Sequence, residues 1–380
     1  TVPAPTEMKP HLLALIQSEA ERARQGEPAA IMAKVNSLQD PEIIAALYDA
    51  SKAGVDIKLN VRGICCLKTG SGKRSRNIRV VSIIDRYLEH SRIFYFLQGG
   101  DPEVLIHPRS SLKPFQAAAM VRCGLELPPR LLAVVTASHS GEQRHLDAVV
   151  EILDRHGLGV DDLSNTPARP LSAAARSAAR IAGVEPSRLQ QNCSGKHAGM
   201  LATCTVNGWS TDSYLDPDHP LQEAITDEVD RLAGRHGGSV ADIGVDGCGA
   251  PTFVVPLVDV ARALATLVRD GSVVVAAMSA HPEMVGGAER DVTLWMDAVP
   301  GLVAKEGAAG AMVLALPDGS AATVKIADGS DAARQAVTVE MLRRLGVDVD
   351  GRLAGVRDRV TVPVLGHGHR VGTVHALEWS

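Results

Sequence analysis

The chain has 380 residues, 45% of them apolar and 3% aromatic, with a formal net charge of −5. That length supports two or three domains with an interior packed mainly by aliphatic side chains. No apolar run of ~18 residues is present to span a membrane, so neither a membrane nor a nucleic-acid partner is expected. Six cysteines over this length do not suggest a disulfide scaffold and suit a reducing cytoplasm. The N-terminus lacks the basic-then-apolar layout of a signal peptide. It also lacks an initiator Met, which suggests a fragment. Charge is divided unevenly. Residues 1–100 carry 14 Lys/Arg against 10 Asp/Glu, and the rest carry 25 against 34. Two segments of different origin would account for that asymmetry.

In chain order, residues 11–24 read as an amphipathic helix and 29–35 as a buried strand. Asp40-Pro41-Glu42 is a helix start, with a capping carboxylate, proline at the first position and an acid at the positive dipole end. Gly54 should terminate that helix. Strands are expected at 56–62, 78–83 and 93–96, with a short helix at 85–89, giving a small α/β unit. Composition breaks at Gly99-Gly100-Asp101-Pro102. Beyond it, helices are expected at 114–123, 146–156, 172–182, 197–204, 220–232, 258–268 and 332–345. Strands are expected at 131–136, 311–316, 322–326 and 370–376. The order predicts an α+β domain around a mostly antiparallel sheet.

Lys68-Thr69-Gly70-Ser71-Gly72-Lys73-Arg74-Ser75 imitates a phosphate loop but fails its spacing, since Leu67 and Arg74 stand where Gly and Ser/Thr are required. A solvated basic loop is the better reading. Five other places concentrate reactive residue types. Ser110 and Lys113 form a Ser-x-x-Lys tetrad whose side chains share one helix face. A desolvated lysine amine can take a serine proton near neutral pH. The second place is Ser138-His139-Ser140-Gly141, expected at a strand end. The third is Asn192-Cys193-Ser194-Gly195-Lys196-His197, opening a helix. The fourth is Asp246-Gly247-Cys248-Gly249, and the fifth Lys325-Ile326-Ala327-Asp328-Gly329-Ser330. By spacing alone, Cys193 and His197 could ligate a metal from adjoining turns, with Cys248 completing a thiolate pair that favours zinc.

In this order RSSLKPFQA, ASHSGE, NCSGKHAGML, DGCGAP and KIADGS resemble the type II L-asparaginases of the thermolabile, rhizobial-like class, over about 103–380. The resemblance implies a serine β-lactamase/glutaminase-like fold and hydrolysis of L-asparagine to aspartate and ammonia. It implies that Ser110 and Lys113 form one Ser–Lys tandem and Ser138 and Lys325 a second, with Ser140 and Lys305 as competing assignments. It also implies zinc held by Cys193, Lys196 and Cys248, the lysine replacing the His197 suggested by spacing. Asp246 and His197 would orient those ligands, Arg109 would grip the substrate carboxylate, and His139 and Asp246 would contact substrate. The turns at Ser110 and Ser138 would offer N–H donors to the oxyanion. A homodimer is in keeping with this family.

Residues 1–102 resemble a different family. PAAIMAKVNSLQDPEIIAALYDAS, NVRGICCL and SIIDRYLEHSRIFYF are similar to the phospholipase D-like C-terminal region of bacterial polyphosphate kinases. Arg62, His90 and Arg92 match its phosphate-handling positions, in keeping with the local positive charge. The domain bearing that family's phosphorylated histidine is not in this chain, so the segment is expected to be an inactive, truncated α/β remnant. Polyphosphate-directed phosphoryl transfer and a non-catalytic chimera are the alternatives to an amidohydrolase.

Overall fold

The computed structural model describes residues 8–70, 72–82, 93–96 and 102–376. Two compact units meet in sequence at Pro102 and Glu103, the second running to Ala376. The expected helix at 85–89, with His90 and Arg92, lies outside the described residues.

In the first unit, α1 (Met8–Arg24), β1 (Ala30–Val35), α2 (Pro41–Ala53), β2 (Asp56–Val61), β3 (Ile78–Val81) and β4 (Ile93–Phe96) build a sheet of order β3-β2-β1-β4. The pairs β1/β2 and β2/β3 are parallel and β1/β4 is antiparallel. Asp40 caps α2 by accepting from the Glu42 and Ile43 amides, satisfying two donors that the helix start leaves open. Gly54 closes α2 at φ 111°, a conformation costly for any residue with a Cβ. Ile31, Ile57 and Leu59 from the strands bury with Ile16 and Leu47 from the helices.

The second unit begins with β5 (Leu105–Ile106), a single turn at Arg109–Leu112, and α3 (Lys113–Arg122). Helices α4 (Pro129–Val135), α5 (Gln143–Arg155), α6 (Ala173–Ile181), α7 (Ser194–Asn207) and α8 (Pro220–Ala233) follow. Strands β6 (Asp242–Val245) and β7 (Pro251–Pro256) come next, then α9 (Leu257–Arg269), α10 (Val273–Ala280), α11 (Pro282–Val285) and α12 (Asp291–Ala298). The chain then makes β8 (Val303–Gly307), β9 (Ala311–Ala315), β10 (Ala321–Lys325), α13 (Asp331–Arg344), α14 (Ala354–Val360), β11 (Pro363–Gly366) and β12 (His369–Thr373). Three sheets result, ordered β10-β9-β8, β5-β7-β6 and β11-β12, and every strand pair in them is antiparallel.

Residues 131–136, expected as a strand, are instead the buried helix α4. Leu131 through Val135 are buried on every side, so no solvent face reveals a period. Pro129 at the first helical position, with its fixed φ, is the signal that decides it. Helix α7 then crosses α4 at very short range. A Cβ on Gly195 would stand 2.2 Å from the Val134 carbonyl oxygen, and one on Gly199 2.7 Å from a Val135 methyl. These two glycines, one turn apart, let α7 seat Cys193, Lys196 and His197 in the interior.

Candidate functional site

Four elements deliver amines and hydroxyls to one buried place. Lys113 opens α3, Ser138 follows α4, Cys193 precedes α7 and Lys305 sits at the middle of β8. The Ser138 hydroxyl oxygen lies 3.0 Å from Lys305 Nζ and 3.2 Å from Lys113 Nζ. Lys113 also donates to the Ala137 carbonyl and lies 3.1 Å from Cys193 Sγ. Lys305 donates to the Glu306 carbonyl at 2.8 Å and lies 3.0 Å from Glu306 Oε2.

Both lysines are almost wholly removed from water, Lys113 at 2% and Lys305 at 0% exposure. Burial pushes the Lys305 amine down to about 8, with Lys113 adding repulsion and Glu306 pulling the other way. Burial would raise the Glu306 carboxyl, but Lys305, Arg290 and Arg334 overcome it and hold it at about 2. At neutral pH the lysine is therefore within reach of its neutral form, while its acidic neighbour stays charged.

The assignment of Lys325 to Ser138 is corrected by this geometry. Lys325 ends β10 and donates to the Ala309 and Ile326 carbonyls, each at 2.7 Å. Strand β9 separates β10 from β8, a distance of two strand spacings, and it is Lys305 that reaches the serine. Ser140, the competing hydroxyl, donates to the Gly286 carbonyl at 2.8 Å. The Ser110/Lys113 pairing also differs from expectation, because the Lys113 amine turns to Ala137, Ser138 and Cys193. Ser110 is half-buried, on the turn whose Ser111 hydroxyl donates to the Lys305 carbonyl at 3.3 Å. Gly307 permits that contact, since a Cβ there would strike the Pro108 carbonyl.

Backbone donors around Ser138 are already used. The amides of Ser138, His139 and Ser140 donate to Val285, Asn192 and Gly286 respectively, so the Ser138 turn does not present a free oxyanion donor. His139 is likewise committed. Its Nδ1 accepts from the Gly141 amide, its Nε2 meets Ser194 Oγ at 2.8 Å, and its ring stacks on His145. Burial drives its pKa well down. A neutral, fully partnered ring is a structural support rather than the expected substrate contact.

Beside the serine lies a sulfur cluster. Cys193, Cys248 and Ala250 pack together, and Lys196 Nζ lies 3.3 Å from Cys248 Sγ. A hydrogen bond from Cys248 holds the Cys193 thiol well below its ordinary range, against burial and with help from Lys113 and Lys196. The same bond, with burial, pushes the Cys248 thiol up. Burial lowers the Lys196 pKa, but the two sulfurs and Asp246 outweigh it. Among the described residues no three His, Cys, Asp or Glu side chains gather to hold a metal; the nitrogen nearest Cys248 is that of Lys196, which would have to lose its proton to join the sulfurs as a ligand. Two soft sulfurs and a nitrogen are a donor set that suits zinc.

Arg109 Nε donates to Asp246 Oδ1 at 2.7 Å, and Asp246 also accepts from the Gly247 amide at 2.7 Å. Burial raises the Asp246 carboxyl, while Lys196, the Gly247 amide and Arg109 bring it below its usual range. Arg109 takes φ 55°, a left-handed conformation that a residue with a Cβ rarely adopts. His197 is fully buried, with Nδ1 2.8 Å from the Tyr214 hydroxyl. In the first unit, Arg62 follows β2 and its amide donates to Val35 at 3.1 Å.

Glu306 and its partner Arg290, joined at 2.9 Å, were not foreseen from sequence. The available signal was a Lys-Glu pair inside an otherwise apolar strand, because such charges are buried only when they are paired.

Residues 2–110 match the polyphosphate kinase C-terminal domain 2. Over 103 residues the chain is 55% identical to polyphosphate kinase of Rhodopirellula baltica and 58% identical to that of Pseudomonas aeruginosa. Each match covers 27% of this chain and only 12% and 15% of those enzymes. A solved polyphosphate kinase from Porphyromonas gingivalis is 48% identical, covering 26% of this chain and 16% of that one, with a TM-score of 0.24. Residues 90–376, three quarters of the sequence and all of the site just described, match L-asparaginase II. The chain belongs to the L-asparaginase II family and carries a polyphosphate-kinase-like segment ahead of the asparaginase region.

Proposed function

We propose that the second unit hydrolyses L-asparagine to L-aspartate and ammonia, with Ser138 as the primed hydroxyl and Lys305 as its base. The observation that carries this reading is a single serine oxygen held between two buried amines, one of them with its pKa near 8. Lys305 takes the hydroxyl proton as the oxygen bonds to the side-chain carbonyl carbon. The carbon–nitrogen bond then breaks, the departing nitrogen collects a proton from the amine pair, and ammonia leaves. Water, deprotonated by the same amines, releases aspartate and restores the serine. Arg109, anchored by Asp246, would offer its remaining N–H groups to the substrate carboxylate.

A second reading makes Ser110 the nucleophile and Ser138 the relay behind it. It is favoured by the greater exposure of Ser110 and its place one turn before Lys113. An asparagine analogue with an electrophilic side chain separates the two by peptide mass mapping. Label on the Ser138 peptide, lost in Ser138→Ala, is the expected result. Label on Ser110 would move the nucleophile there, and no label on either would contradict serine catalysis.

Zinc is part of the proposal. Cys193, Lys196 and Cys248 would hold it, and the ion would supply positive charge beside the substrate. We also propose that the second unit is of the rhizobial-like class with a serine β-lactamase-like fold, and that the protein is a cytoplasmic homodimer. Among the described residues no single helix is long and apolar enough to cross a membrane. The first segment spans 12–15% of the length of the polyphosphate kinases it matches.

A further inference from the structure

We propose that Glu306, gripped by Arg290, is a positioning residue that aims the Lys305 amine at Ser138 and sets the pH at which that amine can accept a proton. The inference rests on the reading of Lys305 as the base.

The Lys305 nitrogen makes hydrogen bonds to Ser138 Oγ at 3.0 Å and to the Glu306 carbonyl at 2.8 Å, and Glu306 Oε2 stands 3.0 Å from it as an ion-pair partner outside hydrogen-bond geometry. Neighbours on a strand ordinarily face opposite sides, yet the Lys305 amine and the Glu306 carboxylate lie 3.0 Å apart. Glu306 is itself buried, at 5% exposure, and its Oε1 accepts from Arg290 Nη2 at 2.9 Å. Arg290 is the residue just before α12, and its side chain reaches solvent. From α13, Arg334 adds positive potential at Glu306 while its guanidinium pairs with Asp291 at 2.6 Å and with Asp331 at 3.2 Å. From α3, Lys113 faces Lys305 across the shared serine oxygen.

The charges therefore alternate from Arg290 to Glu306 to Lys305, with Lys113 opposing from the far side. Each member acts on the lysine with a definite sign. Glu306 favours the ammonium form, so removing its charge lowers the Lys305 pKa. Arg290 weakens Glu306 and repels the ammonium, so removing it raises that pKa. A merely structural role would not move the lysine in opposite directions.

The test uses the full chain with 13C-labelled lysine, the Lys305 signal being assigned by its loss in Lys305→Met. Its NMR titration midpoint is followed in the wild type, Glu306→Gln and Arg290→Gln. The midpoint should fall by about one pH unit or more in Glu306→Gln and rise in Arg290→Gln. The acid limb of kcat/KM for asparagine should move the same way. An unmoved midpoint, or movement of both variants in one direction, overturns the proposal. If Glu306→Gln does not fold, Arg290→Gln carries the test alone, because its side chain is part-exposed, at 27%, where that of Glu306 is buried at 6%. The midpoint is read without turnover, so an inactive wild type would count against the hydrolase reading and not against this one.

Discussion

At the scale of single residues, the site is a problem of burying positive charge. Lys113, Lys196 and Lys305 are all withdrawn from water within one region, a costly arrangement unless each amine finds a partner or sheds its proton. Lys305 is answered by Glu306, Lys196 by two sulfurs and Asp246, and Lys113 by a carbonyl, a hydroxyl and a thiol. The sulfur pair gives a direct prediction. Cys248→Ser replaces one soft donor by a harder one, so purified protein should hold less zinc by elemental analysis, by about tenfold or more in affinity. Zinc content equal to wild type in a folded Cys248→Ser protein would reject the assignment.

The placement of these residues is set at the scale of elements. Helix α7 brings Lys196 into contact with Cys248 only because Gly195 and Gly199 let it lie against α4. The obstacle to a side chain at Gly195 is a backbone carbonyl, which cannot swing aside as a flexible side chain would. Gly195→Ala should therefore cost about 1–3 kcal/mol in denaturant unfolding. Gly355→Ala, in open space at a helical position, should stay within about 0.5 kcal/mol. Equal stability of Gly195→Ala and wild type would show that α7 is free to shift. Capped helices were the most legible elements in the sequence, as Asp40 and Ser172 show by accepting from the first-turn amides of α2 and α6. Helix α4 was misread because a short run buried on all sides carries no periodic signal. Strands β6, β7 and β8 went unforeseen. The Lys-Glu pair interrupts the apolar pattern of β8, and Pro251 and Pro256 bracket β7.

At the scale of the whole molecule, two units of different ancestry share one chain. The charge asymmetry and the motif order made that division legible, and the family matches cover both parts. Motif order also brought Ser110, Lys113, Ser138, the two thiols and Lys196 into view as one set. Choosing between Lys305 and Lys325 was beyond it, because both lie in strands of one sheet and only strand order tells which faces the serine. The decisive measurement is the rate of ammonia release from L-asparagine by wild type, Lys305→Met and Lys325→Met, each shown to be folded. Wild type should release ammonia, Lys305→Met should lose about 100-fold or more, and Lys325→Met should remain within a few-fold of wild type. No ammonia from wild type, or loss in Lys325→Met with Lys305→Met unaffected, would contradict the account.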